Sequence, residues 1–322
     1  AGSIMTTEFI MLRPDMTAEM AIKRIRRTGV DKETIYTCYV SDTDNKLIGI
    51  TTVKDLLLAD DNALVKDLME ENVISVHTLD DQEQVAKIFQ NYNFLALPVV
   101  DKEYRLVGIV TIDDAIDVLQ EETTEDIEKM AAVLPSDKPY MKTSVFGIYK
   151  KRAPWLLVLM LSATFTSAII SSFESVLASV IVLSSFIPMI TGSGGNAGSQ
   201  ASVSVIRALS LGEVEFKDLL LILWKEFRVA FLCGVTLAAA NFIKLMLFDL
   251  NGTPNAFWIA LVISLTLVGT IIMAKLVGAS LPLIAGKIGF DPAVMANPLI
   301  STVCDSLSLL IYFAVATSIL HL

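Results

Sequence analysis

Two kinds of hydrophobic pattern divide the chain. Up to about residue 140 the apolar residues fall in short, often β-branched runs between polar turns; beyond residue 150 they fall in long stretches. The short runs repeat. Tyr39-Val40-Ser41-Asp42 leads through a turn to Lys46-Leu47-Ile48-Gly49-Ile50-Thr51-Thr52-Val53-Lys54-Asp55, and Val99-Val100-Asp101 leads to Arg105-Leu106-Val107-Gly108-Ile109-Val110-Thr111-Ile112-Asp113-Asp114. The copies align without a gap, with their glycines 59 residues apart. Each predicts a strand, a turn, a second strand and then a helix opened by Thr and an acid. These helices fall at about 53–59 and 113–120, and two more, at 17–28 and 80–91, precede the strand pairs. Thr17 and Thr78, each with acids close behind, are the expected helix starts.

The long stretches lie at about 154–173, 176–206, 219–248, 256–285 and 294–320. Each reaches the ~20 residues that a helix needs to cross the hydrocarbon core. Composition agrees: 53% hydrophobic residues and a mean hydropathy of +0.60 are too apolar for an ordinary soluble protein, so membrane lipid is an expected partner. Charge is split as well. Residues 1–140 hold 27 acidic and 14 basic residues, whereas the remainder holds 8 and 11. An acidic half is a poor match for nucleic acid, whose phosphates require basic patches, and a good one for metal cations.

Lys150, Lys151 and Arg152 precede the first stretch; Arg207, Lys217, Lys225 and Arg228 flank the link after the second; Lys275 and Lys287 stand near the link after the fourth. Residues 171–175 and 249–255 contain no Lys or Arg. The positive-inside rule then predicts a cytoplasmic N-terminal half and an outer C-terminus, with Lys244 as an exception that can snorkel to the interface. The expected location is the cell inner (plasma) membrane. No signal peptide is visible, and Ala1-Gly2-Ser3 reads as a cloning remnant. Cys38, Cys233 and Cys304 lie far apart and read as packing residues.

Asp305 stands inside the last stretch, within Thr302-Val303-Cys304-Asp305-Ser306-Leu307. A carboxylate at mid-membrane costs about 2.5–3.5 kcal/mol on insertion scales, so it should face water or a cation; a hydrogen bond to a neighbouring hydroxyl is the structural alternative. One acid on one helix is a weak cation site, which favours a symmetric dimer with two copies of Asp305. Asn297 and Ser301 share its helix face at spacings of eight and four residues. The second stretch carries Gly192-Ser193-Gly194-Gly195-Asn196-Ala197-Gly198-Ser199-Gln200. Its glycines allow close helix packing, and Gly194, Gly195, Asn196 and Gln200 can also line a pore, the amides lying four residues apart. Such oxygen ligands suit magnesium or calcium rather than zinc or copper.

Two resemblances follow from these residues. The endings Gly49-x-x-Thr52-x-x-Asp55 and Gly108-x-x-Thr111-x-x-Asp114 resemble those of tandem CBS domains. That resemblance implies binding of an adenine nucleotide, with ATP as a possible cofactor held by Thr52, Asp55, Thr111 and Asp114; helix capping by the same residues is the alternative. The run Gly194-Gly195-Asn196-x-Gly198-x-Gln200, then Asp291-Pro292-Ala293, Asn297-Pro298-Leu299 and Asp305, is similar to the MgtE family of magnesium channels. The similarity covers nearly the whole chain.

This family resemblance implies a homodimer that passes largely hydrated Mg2+, with Asp305 selecting the ion beside Asn297 and Ser301. It implies Mg2+ sites at Glu83, Asp114, Asp117, Glu122, Glu125 and Asp126 that favour a closed pore, and a connecting helix over residues 125–149. Asp114, Asp117 and Glu121 recur at helical spacing, so bound cations would relieve their repulsion, although a solvated acidic helix has the same pattern. The family's usual N-terminal helical domain is not in this sequence. The expected fold is an α/β pair of CBS domains (1–62 and 63–124) joined by a long helix (125–150) to an all-α membrane domain of five transmembrane helices (151–322).

The expected function is Mg2+ uptake through a channel gated by internal Mg2+. A sodium- or proton-coupled divalent-cation carrier is the rival, because an intramembrane Asp also suits a proton relay. A membrane-anchored nucleotide sensor leaves Asp305 and the glycine run without a role. No Walker motif or nucleophile–base pair is visible, and the only histidines are His77 and His321, so an enzyme is not expected.

Overall fold

The computed structural model describes residues 1–136, 138–295 and 297–321, with the side chains of all of these except Met295 and Asn297. The chain forms two compact units, Ala1–Thr123 and Thr124–Leu322.

The first unit is built twice on one plan. β1 (Ile10–Leu12) leads through α1 (Ala18–Thr28) to β2 (Thr37–Ser41), which it pairs in parallel; β2 pairs antiparallel with β3 (Leu47–Thr52), followed by α2 (Val53–Leu58) and α3 (Val65–Leu68). In the second copy, β4 (Val76–His77) leads through α4 (Gln82–Tyr92) to β5 (Ala96–Val100); β6 (Leu106–Thr111) follows, then α5 (Ile112–Met130). Register repeats to the residue: Val40 opposes Gly49, and Val99 opposes Gly108. The strand pairs and helices follow the sequence pattern. β1 and β4 do not, because strands of three and two residues are too short to show a period of two.

Helix starts follow local chemistry. The Thr17 hydroxyl caps α1 by accepting from Met20 N at 3.3 Å, as expected. α4 starts at Asp81 instead of Thr78: the Asp81 carboxylate accepts from Glu83 N at 2.9 Å, while Asp80 closes the preceding turn by accepting from His77 N at 2.7 Å. α5 runs past its expected end at residue 120 to Met130 because no Gly or Pro interrupts it.

The two repeat glycines have a packing cause. A β-carbon on Gly49 would lie 2.6 Å from Met69 Sδ and 3.1 Å from Glu70 O; one on Gly108 would lie 2.8 Å from Met5 Sδ and 2.9 Å from Thr6 O. A backbone segment crosses each glycine, hydrogen-bonding to the next residue: Glu70 N donates to Ile50 O at 2.8 Å, and Thr6 N to Ile109 O at 2.8 Å. Any larger residue would push that segment off the sheet. The two copies meet through Tyr39, Leu47, Ala96, Val100, Leu106 and Ile109, all buried. At about 1.5–3 kcal/mol for each large apolar side chain, this shared layer outweighs the loss of freedom of its few side chains.

In the second unit, α6 (Val145–Ser172), α9 (Leu219–Lys244, running on to Asp249 as a wider π-helix), α10 (Ala256–Lys287) and α11 (Asn297–Leu320) are long and apolar enough to cross a membrane. The expected second span, 176–206, is not one helix. It comprises α7 (Glu174–Ser179), a 3-10 stretch (Ile181–Phe186) and α8 (Ile187–Ser210), with Pro188 in the first turn of α8, where a missing N–H costs nothing. At 24 residues α8 is about 36 Å long, so it has the length of a span although its glycine and serine run dilutes its hydropathy.

Residues 125–149 are also not the single connecting helix expected. They hold the end of α5, a segment with Pro135 and Pro139, a 3-10 turn (Tyr140–Lys142) and the start of α6. Proline removes a helical N–H and disfavours helical backbone before it, so two prolines five residues downstream of Met130 and beyond end the helix.

α10 packs against α8, α9 and α11 and buries much of its length, whereas α6 buries no residue and meets α11 at Thr166 Oγ1 and Ser306 Oγ, 3.3 Å apart. α8 and α10 approach closely at two glycines: a β-carbon on Gly278 would lie 2.2 Å from Gly198 O. Tyr312 of α11 donates its buried hydroxyl to Leu183 O at 2.9 Å, anchoring the 3-10 stretch. Lys244 is 2.7 Å from Asp249, so the ammonium at the end of α9 is neutralised locally.

Candidate functional site

Helical periodicity brings Ser301, Asp305 and Ser308 to one face of α11. The glycines of α8 lie against that face. A β-carbon on Gly195 would lie 3.3 Å from Ser301 Oγ and 3.6 Å from Asp305 Oδ1; one on Gly194 would lie 2.5 Å from Ser308 Oγ and 2.9 Å from Thr270 Cγ2. A β-carbon on Gly198 would lie 2.8 Å from Cys304 Sγ and 3.2 Å from Ala274 O. Only glycine lets α8 seat this closely on both α11 and α10. Asp305 is half-buried there, and the hydroxyls of Ser308 and Thr270 are buried with no hydrogen-bond partner among the described residues. Ser308 was missed in the sequence, although its place three residues after Asp305 was the signal for it. The side chain of Asn297, the first residue of α11, lies outside the described residues.

Asn196 and Gln200 turn elsewhere. Successive helix residues rotate by about 100°, so a helix that aims Gly195 and Gly198 at α11 aims these amides at another side. They line a cavity of about 520 Å³ between α8, α9 and α10, together with Thr236 and Lys275. Lys275 reads in the sequence as a flanking charge, but it is only 6% exposed, and its Nζ lies 3.9 Å from Glu226 Oε2 on α9. That oxygen is buried with no hydrogen-bond partner among the described residues.

The acids singled out in the sequence are partly gathered and partly dispersed. Asp114, Asp117 and Glu121 line a cavity of about 410 Å³ in the first unit, joined by Glu33, which the helical spacing could not reveal. Glu83 lies 2.8 Å from Lys87, and Glu122 accepts from Gln82 Nε2 at 2.9 Å. In the second unit Asp126 accepts from Ser210 Oγ at 3.4 Å, and Glu125 pairs with Lys129, whose Nζ also lies 2.7 Å from Asp291 Oδ2. Burial opposes the charge on Lys129, but its hydrogen bonds to Asp291 and Glu125 prevail and raise its pKa above the ordinary lysine value. Among the described residues no three His, Cys, Asp or Glu side chains come together as a ready-made metal site. Thr52 and Asp55 cap α2, Thr52 Oγ1 accepting from Asp55 N at 3.1 Å and donating to Asp55 Oδ2 at 2.5 Å, whereas at the start of α5 Thr111 Oγ1 donates to the Asp114 Oδ2 side-chain oxygen at 2.7 Å.

Residues 187–315 match the MgtE family, described as a divalent cation transporter, and residues 1–62 and 65–121 match the CBS domain. The chain is 40% identical over 321 residues to the magnesium transporter MgtE of Thermus thermophilus, covering 100% of this chain and 70% of that protein. It is 36% identical over 317 residues to the magnesium transporter MgtE of Enterococcus faecalis, covering 98% of this chain and 68% of that protein. Among solved structures, the cytosolic domain of the Mg2+ channel MgtE in complex with ATP is 46% identical over 37% of this chain and 48% of that one, with a TM-score of 0.36. These relatives are transporters and not enzymes. With several apolar helices of membrane length and relatives matched along its whole length, the chain is a multi-pass membrane protein that belongs to the MgtE family of divalent cation transporters.

Proposed function

We propose that the chain is a magnesium channel of the cell inner membrane, working as a homodimer with a cytoplasmic N-terminal half. The observation that carries this reading is Asp305: a carboxylate within a membrane-length helix, seated on Gly195 of α8 with Ser301 one turn away. A half-buried carboxylate at that depth is worth its insertion cost of about 2.5–3.5 kcal/mol where a cation shares the site. Ser301, Asn297 and the backbone about Gly194 and Gly195 add neutral oxygens, which suit an ion that keeps most of its water. The names of the relatives identify Mg2+ as the cargo. Residues 151–322 then form the pore domain, with CBS domains at 1–62 and 63–124 and the connecting segment at 125–150.

Gating follows from the acids. Asp114, Asp117 and Glu121 repel one another around their cavity, and Mg2+ bound there favours the compact arrangement. Glu83, Glu122, Glu125 and Asp126 contribute at neighbouring surfaces, so high internal Mg2+ closes the pore. ATP bound near Thr52, Asp55, Thr111 and Asp114 would act on the same unit.

The test is Mg2+ flux into liposomes with wild-type and Asp305→Asn protein. Loss of flux in a folded variant is expected, and retained flux overturns the assignment. Single-channel current steps separate the channel from an ion-coupled carrier.

A further inference from the structure

The second unit holds a charge pair that the cation path does not use directly. Lys275 on α10 is buried and Glu226 on α9 is partly buried, with its Oε2 oxygen enclosed; the two lie 3.9 Å apart, and the cavity containing the Asn196 and Gln200 amides opens onto Lys275. Ala274 O and Cys304 Sγ both abut Gly198, and these residues immediately precede Lys275 and Asp305. Lys275 and Asp305 therefore stand at one level on adjoining helices, whose axes lie about 8–10 Å apart. α9 packs along α10 and has no extensive contact with α11, so Glu226 stands on the helix farther from Asp305.

We infer that Glu226 sets the cation affinity of the path, cancelling the Lys275 ammonium that would otherwise repel the cation at Asp305; the inference rests on the proposed role of Asp305. Uncancelled, a unit positive charge about 10 Å from a bound cation, at an effective dielectric constant of about 20, would lower occupancy roughly 15-fold for a monovalent cation and roughly a few hundredfold for a divalent one. The pair has the marks of a field-setting device. Its 3.9 Å separation is long for an ion pair, and Glu226 Oε2 lacks a hydrogen bond among the described residues, so close pairing is not what the geometry optimises.

The experiment measures initial Mg2+ influx against Mg2+ concentration in liposomes, with thermal stability in detergent, for the wild type, Glu226→Gln, Lys275→Met and the double variant. Glu226→Gln should lower influx at low Mg2+ at least tenfold, Lys275→Met should keep or raise it, and the double variant should return near the wild type. Equal losses in both single variants, tracking equal losses of stability, would mean a structural pair only and overturn the inference. A buried lone charge can prevent folding, so the swapped pair Glu226→Lys with Lys275→Glu is measured too. It keeps the attraction and brings the negative member nearer the path, so half-saturation should fall several-fold to lower Mg2+; unchanged half-saturation overturns the inference. A wild type without Mg2+ flux would instead overturn the reading of Asp305 on which the inference stands.

Discussion

Gly195 of α8 and Asp305 of α11 face each other so closely that a β-carbon on the glycine would come within 3.6 Å of the carboxylate oxygen Oδ1. The same β-carbon would lie 3.3 Å from Ser301 Oγ, a contact that already forces the serine to give slightly. Gly195→Ala should therefore reduce Mg2+ influx modestly, by a few-fold, and Gly195→Val should abolish it by driving methyl groups between the carboxylate and the ion. Liposome flux with both variants checks the order; equal effects would mean that the glycine serves helix packing alone.

Gly278 poses a different constraint, because its added β-carbon would meet the backbone oxygen of Gly198 at 2.2 Å, where no side chain can move aside. Gly278→Ala should push α10 from α8 and destabilise the membrane unit by about 1–3 kcal/mol or more, as overpacking does elsewhere. A lowered melting temperature in detergent is the readout. Ala279→Gly, a buried neighbour without that clash, serves as the comparison.

Lys129 holds Asp291 and Glu125 with its one ammonium, the position that a divalent cation would take between the same carboxylates. The pair is partly exposed, so its direct contribution to stability is about 1 kcal/mol or less. Lys129→Met should free both carboxylates for Mg2+, and the Mg2+ concentration that protects the chain from protease should fall several-fold. No shift in that midpoint would remove this site from the gating scheme.

Cys38 is buried in the first sheet, and that burial pushes its thiol pKa up to about 12. Raising the pKa favours the neutral thiol, so almost no thiolate is present near pH 8, and the thiolate is the reactive form. In a variant carrying Cys233→Ser and Cys304→Ser, Cys38 should resist a charged disulfide reagent at pH 8 until denaturant is added. Rapid labelling of native protein would contradict its burial.

The sequence by itself determined whatever depends on neighbours along the chain. The hairpin register around Gly49 and Gly108, four of the five membrane-length stretches, the Thr17 cap and the shared face of Ser301 and Asp305 all follow from periods of two and 3.6 residues and from local capping. Even the break between α5 and α6 was legible in Pro135 and Pro139, which the expected connecting helix overlooked. Tertiary structure decided what depends on how one element is rotated against another. Asn196 shares its run with Gly195 yet faces a different cavity, Lys275 looks like a flanking charge yet lies buried against Glu226, and Glu33 joins Asp114 from the other repeat. Helix periodicity orders residues around one axis, but only the close approach of α8 to α10 and α11, permitted by glycines at 194, 195, 198 and 278, chooses which face meets which partner.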